Sequence, residues 1–597
     1  MYLGAVALYR RGNMYVKRTT VKRGDSSYVY LRLVEAYRDG GKVRHRVIAN
    51  LGREDALKAS GQLEQLAAGF ARLDPPPWGT RREVGPLLLV RHYLDRLGLV
   101  RLVDEAAPRR GRAQLTHGEV VAALVANRLA APAPLYDIAG WASSAAVHEL
   151  LGVPGMLLHD DRLGRALEAF APVAETVRGA AMLAAIETFG ADAARLHLDL
   201  TTLTVAGDYP GSELVAKGWN STRRVQRQVR VLAATNPTGV PLYTRPSPGD
   251  AAELSCLGQA MDNLARLLPP GLLIVADSAL GHVKNLCEAD RAGLRFVVPL
   301  RADTGFGQRF LAEVGHRGLR PIRYLARREA HLPTSKRTRY RGALRDLEVT
   351  DPKTGQPRRF RVAYIWSSEE ATSVAEARER ALAKAETALA KIHNGLGGRY
   401  YKTRKQVDAK VARILANPRL RPLLTVTTGT RGGKPTLTWR RDQQAIDAAA
   451  RLDGVYALAT NLPGRLTATA VLRTYKDQHL VEQAHRANKG TLKVRPIFLH
   501  NDDRIAALIS IVGLALLIYG LIETDLRHAL GDDQHLPGLL PEGRAARPTG
   551  RNILATFQGL GATYTTHGLR LDRLTTTQRT ILDLLGIDPP WPERDEQ

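Results

Sequence analysis

Residues 195–204 read RLHLDLTTLT, and this stretch limits the fold more than any other. Leu196, Leu198, Leu200 and Leu203 mark a buried strand, yet Asp199 stands between two of those leucines. A carboxylate there costs several kcal/mol unless it is paired, hydrogen-bonded or bound to a metal. The hydroxyls of Thr201 and Thr202 offer one way to satisfy it; a cation offers another. A second apolar run, LLIVAD, ends on Asp277. Acids at the carboxyl ends of strands are where open α/β sheets place their sites, although a helix cap after a strand reads the same way. Ser278 and Gly281 allow a turn into a helix containing Asn285 and Leu286, and FVVPL is the return strand. Strand, helix and strand in this order predict an α/β fold built on a sheet.

A third acid lies far downstream. Residues 471–499, VLRTYKDQHLVEQAHRANKGTLKVRPIFL, have helical character, with Gly490 as a natural C-cap. At about 100° per residue, Tyr475, Gln478, Glu482, Arg486 and Lys489 fall within an arc of roughly 80°. An acid, an amide, a phenol and two cations thus share one stripe. The bland reading is a solvated helix face with Glu482 and Arg486 as an i,i+4 pair; the two upstream aspartates argue for more.

The net charge of +27 implies polyanionic partners, nucleic acid or acidic membrane. The preference for Arg over Lys suits phosphate recognition by forked donors. Two cysteines, Cys256 and Cys287, make neither a disulfide framework nor a zinc cluster, which points to a reducing compartment. The first residues are interrupted by Arg too soon to read as a signal peptide. Ile505–Ile522 runs for eighteen residues without a charge. Solitary, and with Ser and Gly inside, it is expected to be a buried core helix and not a membrane span.

The chain divides by pattern. Residues 1–75 hold a basic β-meander, in which 14–52 alternate apolar and basic residues around breaks at Gly24-Asp25 and Asp39-Gly40-Gly41. After Pro75-Pro76-Pro77, residues 76–189 read as a helical DNA-binding or arm region, with Asp160 and Asp161 as N-cap and first-turn acids. Its His117-x-Glu119 lacks the Pro-Cys-x-x-Cys partner of a zinc deaminase. Residues 190–300 carry the first two acids. Residues 301–452 are dense in Arg and Lys and read as a basic, β-containing insertion, with a charged helix near 368–393 and a hairpin around Gly432-Gly433. GLGGRYYKTRK at 395–405 lacks the Lys-Ser/Thr spacing of a P-loop. Residues 453–535 return to the core with the Glu482 helix and the apolar helix, and 536–597 read as a polar tail.

Taken together, Asp199 in HLDLTTLT, Asp277 in IVADSALG and Glu482 in Y-x2-Q-x3-E-x6-K resemble the three acids of a DDE transposase. The resemblance is to bacterial insertion-sequence transposases of the broad IS4 type, nearest the IS1634 family, whose signature is Y-x2-R-x3-E-x6-K. It extends through Asn50-Leu51-Gly52, DDRLGRAL at 160–167, TNLPG at 460–464 and VRPIFLHNDDRI at 494–505. Gln478 departs from the signature Arg; Arg486 and Lys489, on the same stripe, offer compensating charge.

The resemblance implies an RNase H-like mixed-sheet core interrupted by a β-rich insertion domain. It implies Asp199, Asp277 and Glu482 as catalytic residues holding two Mg²⁺, with Mn²⁺ able to substitute, because hard cations take carboxylate oxygens. Tyr475, Gln478, Arg486 and Lys489 are then expected on the DNA. Expected partners are transposon-end and target DNA and a second copy of the chain in the synaptic complex. The expected location is the bacterial cytoplasm, at the nucleoid. The alternatives are a catalytically silent DNA-binding relative and an RNase H-like nuclease without strand transfer. A tyrosine recombinase lacks its Arg/His set here.

Overall fold

A computed structural model of the chain describes residues 14–23, 26–39, 42–60, 78–109, 113–219, 224–476, 499–531 and 534–594. It divides into two compact units, Met1–Ala181 with Asp503–Gln597, and Met182–Asp502.

In the first unit, β1 (Met14–Arg23), β2 (Ser26–Asp39) and β3 (Lys42–Arg53) make an antiparallel meander. Arg18 Nε donates to Glu54 Oε2 at 2.9 Å, tying β1 to the helix Glu54–Ala59 that follows β3. A short strand, β4 (Arg81–Glu83), precedes the helical block. There Glu119 N donates to Thr116 Oγ1 at 3.1 Å and Thr116 N to Glu119 Oε2 at 2.7 Å. The His117-x-Glu119 motif is thus the capping box of helix His117–Ala130. One helix start differs from the sequence expectation. His159, not Asp160, caps helix Asp160–Phe170, its Nδ1 accepting from Arg162 N at 3.3 Å. Asp160 and Asp161 occupy the first turn, and Asp161 pairs with Arg165.

The second unit is built on a ten-stranded mixed sheet. Its strands are β5 (Arg195–Thr204), β6 (Ala216–Trp219), β7 (Val225–Thr235), β8 (Pro241–Pro248), β9 (Leu273–Ala276), β10 (Arg295–Pro299), β11 (Arg320–Ile322), β12 (Tyr340–Thr350), β13 (Pro357–Ser367) and β16 (Val455–Thr460). The order is β11-β12-β13-β16-β10-β9-β5-β7-β6, with β8 also on β7. β5 pairs antiparallel with β7 and parallel with β9; β9 and β10 are parallel, and β16 runs antiparallel to β10. Helix Glu253–Leu267 carries the chain from β8 back to β9, beside β5, and helix Val283–Arg291 is the crossover from β9 to β10. Parallel neighbours need such crossovers.

Helix Ala468–Lys476 lies on this sheet through Val471 and Leu472, which pack with Val275, Val297, Ile365 and Leu458. The basic stretch 301–452 divides in two. Its first strands, β11 to β13, extend the main sheet through β16. Its remainder has apolar clusters of its own. Helix Ser368–Asn394 contributes Leu382, Leu389 and Ile392, packed with Leu424 of β14 (Leu424–Arg431) and Leu437 of β15 (Lys434–Arg441). Gly432 and Gly433, at φ 56° and 75°, make the tight turn between β14 and β15; a hairpin turn with two left-handed residues strongly favours glycine.

Back in the first unit, helix Asp502–Leu530 is buried from Ile505 to Ile522 except at Ala506. Its length and apolarity would suffice to cross a membrane, but its side chains face protein. The stretch read as a polar tail is folded. β17 (Gly561–Thr565) and β18 (Gly568–Leu571) complete a three-stranded sheet with β4, flanked by helices Gly550–Thr556 and Thr576–Leu585. Its many polar residues hid an apolar set, Ile553, Phe557, Ala562, Leu571 and Ile581, all fully buried.

Candidate active site

The register of β5 against β9 builds the site. Leu198 pairs with Ala276, so the next step along both parallel strands brings Asp199 beside Asp277. Adjacent strands lie about 4.8 Å apart, which leaves two carboxylates on neighbouring backbones at the carboxyl end of two central strands. Leu196 and Leu198 are buried, anchoring β5, while Asp199 is half-buried.

Asp277 is the first residue after β9, and a tight turn holds it. Its Oδ1 accepts from Ala279 N at 2.9 Å, and Gly281 N donates to Ser278 O at 3.1 Å. A Cβ on Gly281 would stand 1.9 Å from Pro299 O, so no larger residue lets this turn pack against the end of β10.

The electrostatics are those of crowded acids. Partial enclosure by protein pushes the Asp277 carboxyl above the usual range, although the side chain reaches solvent; the Ala279 N–H pulls the other way, and Glu253 and Asp199 add like-charge repulsion. Glu253, the first residue of helix Glu253–Leu267, is near enough for its charge to add to that repulsion. Arg230 Nη1 lies 3.6 Å from its Oε1. Sequence reasoning passed over Glu253, since a Glu opening a helix after a Pro/Gly-rich loop looks like ordinary first-turn chemistry.

A buried base sits on the same strand. His197 points to the same face as Asp199, two residues earlier, opposite Thr235 of β7. It is fully buried, and neither ring nitrogen has a hydrogen-bond partner among the described residues. Burial, with help from Arg195, holds its pKa down to about 4, so the ring is neutral at pH 7.

Of the expected helix stripe, Tyr475 is described and Gln478, Glu482, Arg486 and Lys489 lie outside the described residues. Tyr475 is half-buried, its ring against the core cluster of Val471 and Leu472. Next to it, Lys476 Nζ sits 5.7 Å from the Tyr340 ring centroid and 6.0 Å from that of Tyr456. Burial holds the Lys476 ammonium below its usual range.

Asp199 and Asp277 supply hard oxygen donors suited to Mg²⁺ or Mn²⁺, and repulsion between neighbouring carboxylates is what a cation relieves. Among the described residues, no group of three or more His, Cys, Asp or Glu is close enough to form a full metal site.

A transposase DDE domain model matches residues 192–518, more than half of the chain, and spans both aspartates and Glu482. The chain belongs to the DDE transposases. Its residues 16–76 match the N-terminal domain of IS1634 family transposases, which places this transposase nearest that family. Residues 80–176 match a domain of unknown function. No curated protein matches the chain.

Proposed function

We propose that Asp199 and Asp277, completed by Glu482, form the metal-holding centre of a cut-and-paste transposase acting on the terminal inverted repeats of an insertion sequence. The observation that carries this reading is the Leu198–Ala276 register, which sets the two aspartates side by side at one end of a mixed sheet with flanking helices. First acid on β5 and second at the end of β9 suit an RNase H-like core, with the part of residues 301–452 that follows β13 and packs on itself as its insertion.

Two Mg²⁺ bound there would activate water and stabilise the charge of a phosphodiester displacement. The residues' own work is positional. Asp199, fixed by the strand, and Asp277, fixed by its turn, present oxygens toward the same space. Glu253 adds negative charge that favours ionic occupancy over empty repulsion. Strand cleavage liberates a 3′-OH, which attacks target DNA without a covalent enzyme intermediate. Tyr475, Gln478, Arg486 and Lys489 are assigned to end-DNA phosphates, in keeping with the net charge of +27. Two ends must be joined, so two copies of the chain act together at the bacterial nucleoid, in the cytoplasm.

The test is incubation of a duplex carrying the terminal repeat, read from DNA flanking the coding region, with the protein and Mg²⁺. Cleavage followed by joining supports the reading. Bound but uncut DNA identifies a silent binding relative, and cutting without joining identifies a nuclease.

A further inference from the structure

The β6–β7 arm at the edge of the large sheet has one locked face and one bare face. On the locked face, Gln228 is fully buried, and its Nε2 donates to Gly249 O at 2.8 Å and to Trp219 O at 3.4 Å. A Cβ on Gly218 would stand 2.4 Å from Gly249 O, and one on Gly249 would stand 1.9 Å from Gln228 O. The two glycines let the arm and the Gly249 turn close on each other. The backbone carrying Trp219 is therefore held from behind.

On the bare face, Trp219 pairs with Val225 across the two strands, and they are 62% and 61% exposed. Lys217, opposite Arg227, shares that face and is exposed. Arg227 Nη2 donates to Asp208 Oδ1 at 2.8 Å, and Arg224 is exposed beside Val225. Directly opposed residues of antiparallel strands point to one side. Asp199 opposes Ala233, and Ala233, Val231, Val229, Arg227 and Val225 alternate along β7. The bare face of the arm is thus the Asp199 face of the sheet, continued about 25 Å along β7.

Holding a tryptophan rigidly in water costs solvation, and 62% of Trp219 gains no cover from the fold. Two apolar residues fall far short of the roughly 800 Å² per partner of a stable protein interface, and their neighbours are cations. A polyanion with apolar faces fits both features.

We propose that the β6–β7 arm grips DNA, with Trp219 and Val225 meeting an unstacked base or sugar and Lys217 a phosphate of the strand that runs past Asp199. The arm positions that strand and takes no part in the chemistry. The proposal rests on the reading of Asp199 as part of the cutting site.

The test uses the full-length protein and the terminal-repeat duplex with its flanking DNA, by fluorescence anisotropy across a salt series and by Mg²⁺-dependent cleavage. Trp219→Ala should weaken binding about tenfold, within the range for lost aromatic stacking, and Trp219→Phe should restore most of it. Lys217→Ala should lower the slope of log affinity against log salt by about one. Thermal melting should stay unchanged for all three. Asp199→Asn is the reference: it should bind as the parent does and not cut. If it still cuts, the site reading fails, and a loss of affinity in Trp219→Ala still supports the arm. Parental affinity in both Trp219→Ala and Lys217→Ala overturns the proposal. So does a loss of self-association with DNA affinity intact, which would make the arm a protein contact. Should Trp219→Ala fail to fold, Trp219→Phe and Lys217→Ala carry the test.

Discussion

Asp199 and Asp277 are 78 positions apart in the sequence and one step apart in the sheet, because Leu198 of β5 lies opposite Ala276 of β9. Two acids placed so closely repel each other unless something positive joins them. Asp277 bears that cost, its carboxyl pushed up by enclosure and by Glu253 and Asp199.

The first consequence concerns stability. A carboxyl whose folded pKa lies above its unfolded value binds its proton more tightly in the native state, so stability falls as pH rises through that interval. Asp277→Asn removes the burden. Thermal melting without divalent cations should show the variant more stable than the parent at neutral pH, with the difference vanishing below the unfolded aspartate pKa. Added Mg²⁺ should raise the melting temperature of the parent more than that of the variant.

Glu253 is expected to tune the site without being required for it. Glu253→Gln removes one of the charges that raise Asp277. The acid limb of the cleavage-rate profile, if it follows Asp277 ionisation, should move to lower pH while the plateau rate stays within about tenfold, less than 1.4 kcal/mol in barrier. Single-turnover rates between pH 5 and 8 give the comparison. A loss as deep as that of Asp277→Asn would instead make Glu253 an essential ligand.

Much of this was legible in the residues, and the boundary is instructive. The strand around Asp199 announces itself because leucines surround a charge, and LLIVAD because an apolar run stops on an acid. The adjacency of the two acids is a matter of register between strands joined by a long crossover, which no local pattern encodes. The same holds for β11 to β13. Their basic, alternating residues read as part of an insertion, yet their pairing partner, β16, lies about a hundred residues on, and through it they extend the main sheet. The folded end of the chain was hidden because its buried residues, such as Phe557 and Leu571, are spaced among threonines and arginines.

His197 gives an acid-stability signature. Its folded pKa, about 4, lies below the ordinary 6.5, so the unfolded chain takes up the proton first. Its contribution is fully present above pH 6.5 and is lost as pH falls toward 4, by up to about 1.4 kcal/mol per pH unit. Denaturant unfolding across that window should be flatter for His197→Leu than for the parent. An unchanged slope would show the ring charged or hydrated in the native state.

The turn behind Asp277 should tolerate no side chain at Gly281. Gly281→Ala puts a methyl group against Pro299 O and the end of β10. The cost is expected at about 1–3 kcal/mol in urea unfolding, the range for overpacking a buried position. Because the turn aims Asp277, cleavage should fall further than stability alone explains, while DNA affinity holds.

The central claim is that Asp199 and Asp277 act as one metal-holding pair. It is tested most directly by Mg²⁺-dependent cleavage of the terminal-repeat duplex by Asp199→Asn and Asp277→Asn, each at saturating protein. Both variants should bind DNA like the parent and cut it at least about 100-fold more slowly, the equivalent of about 3 kcal/mol of lost transition-state stabilisation. Cleavage by either variant within about tenfold of the parent rate would contradict the claim.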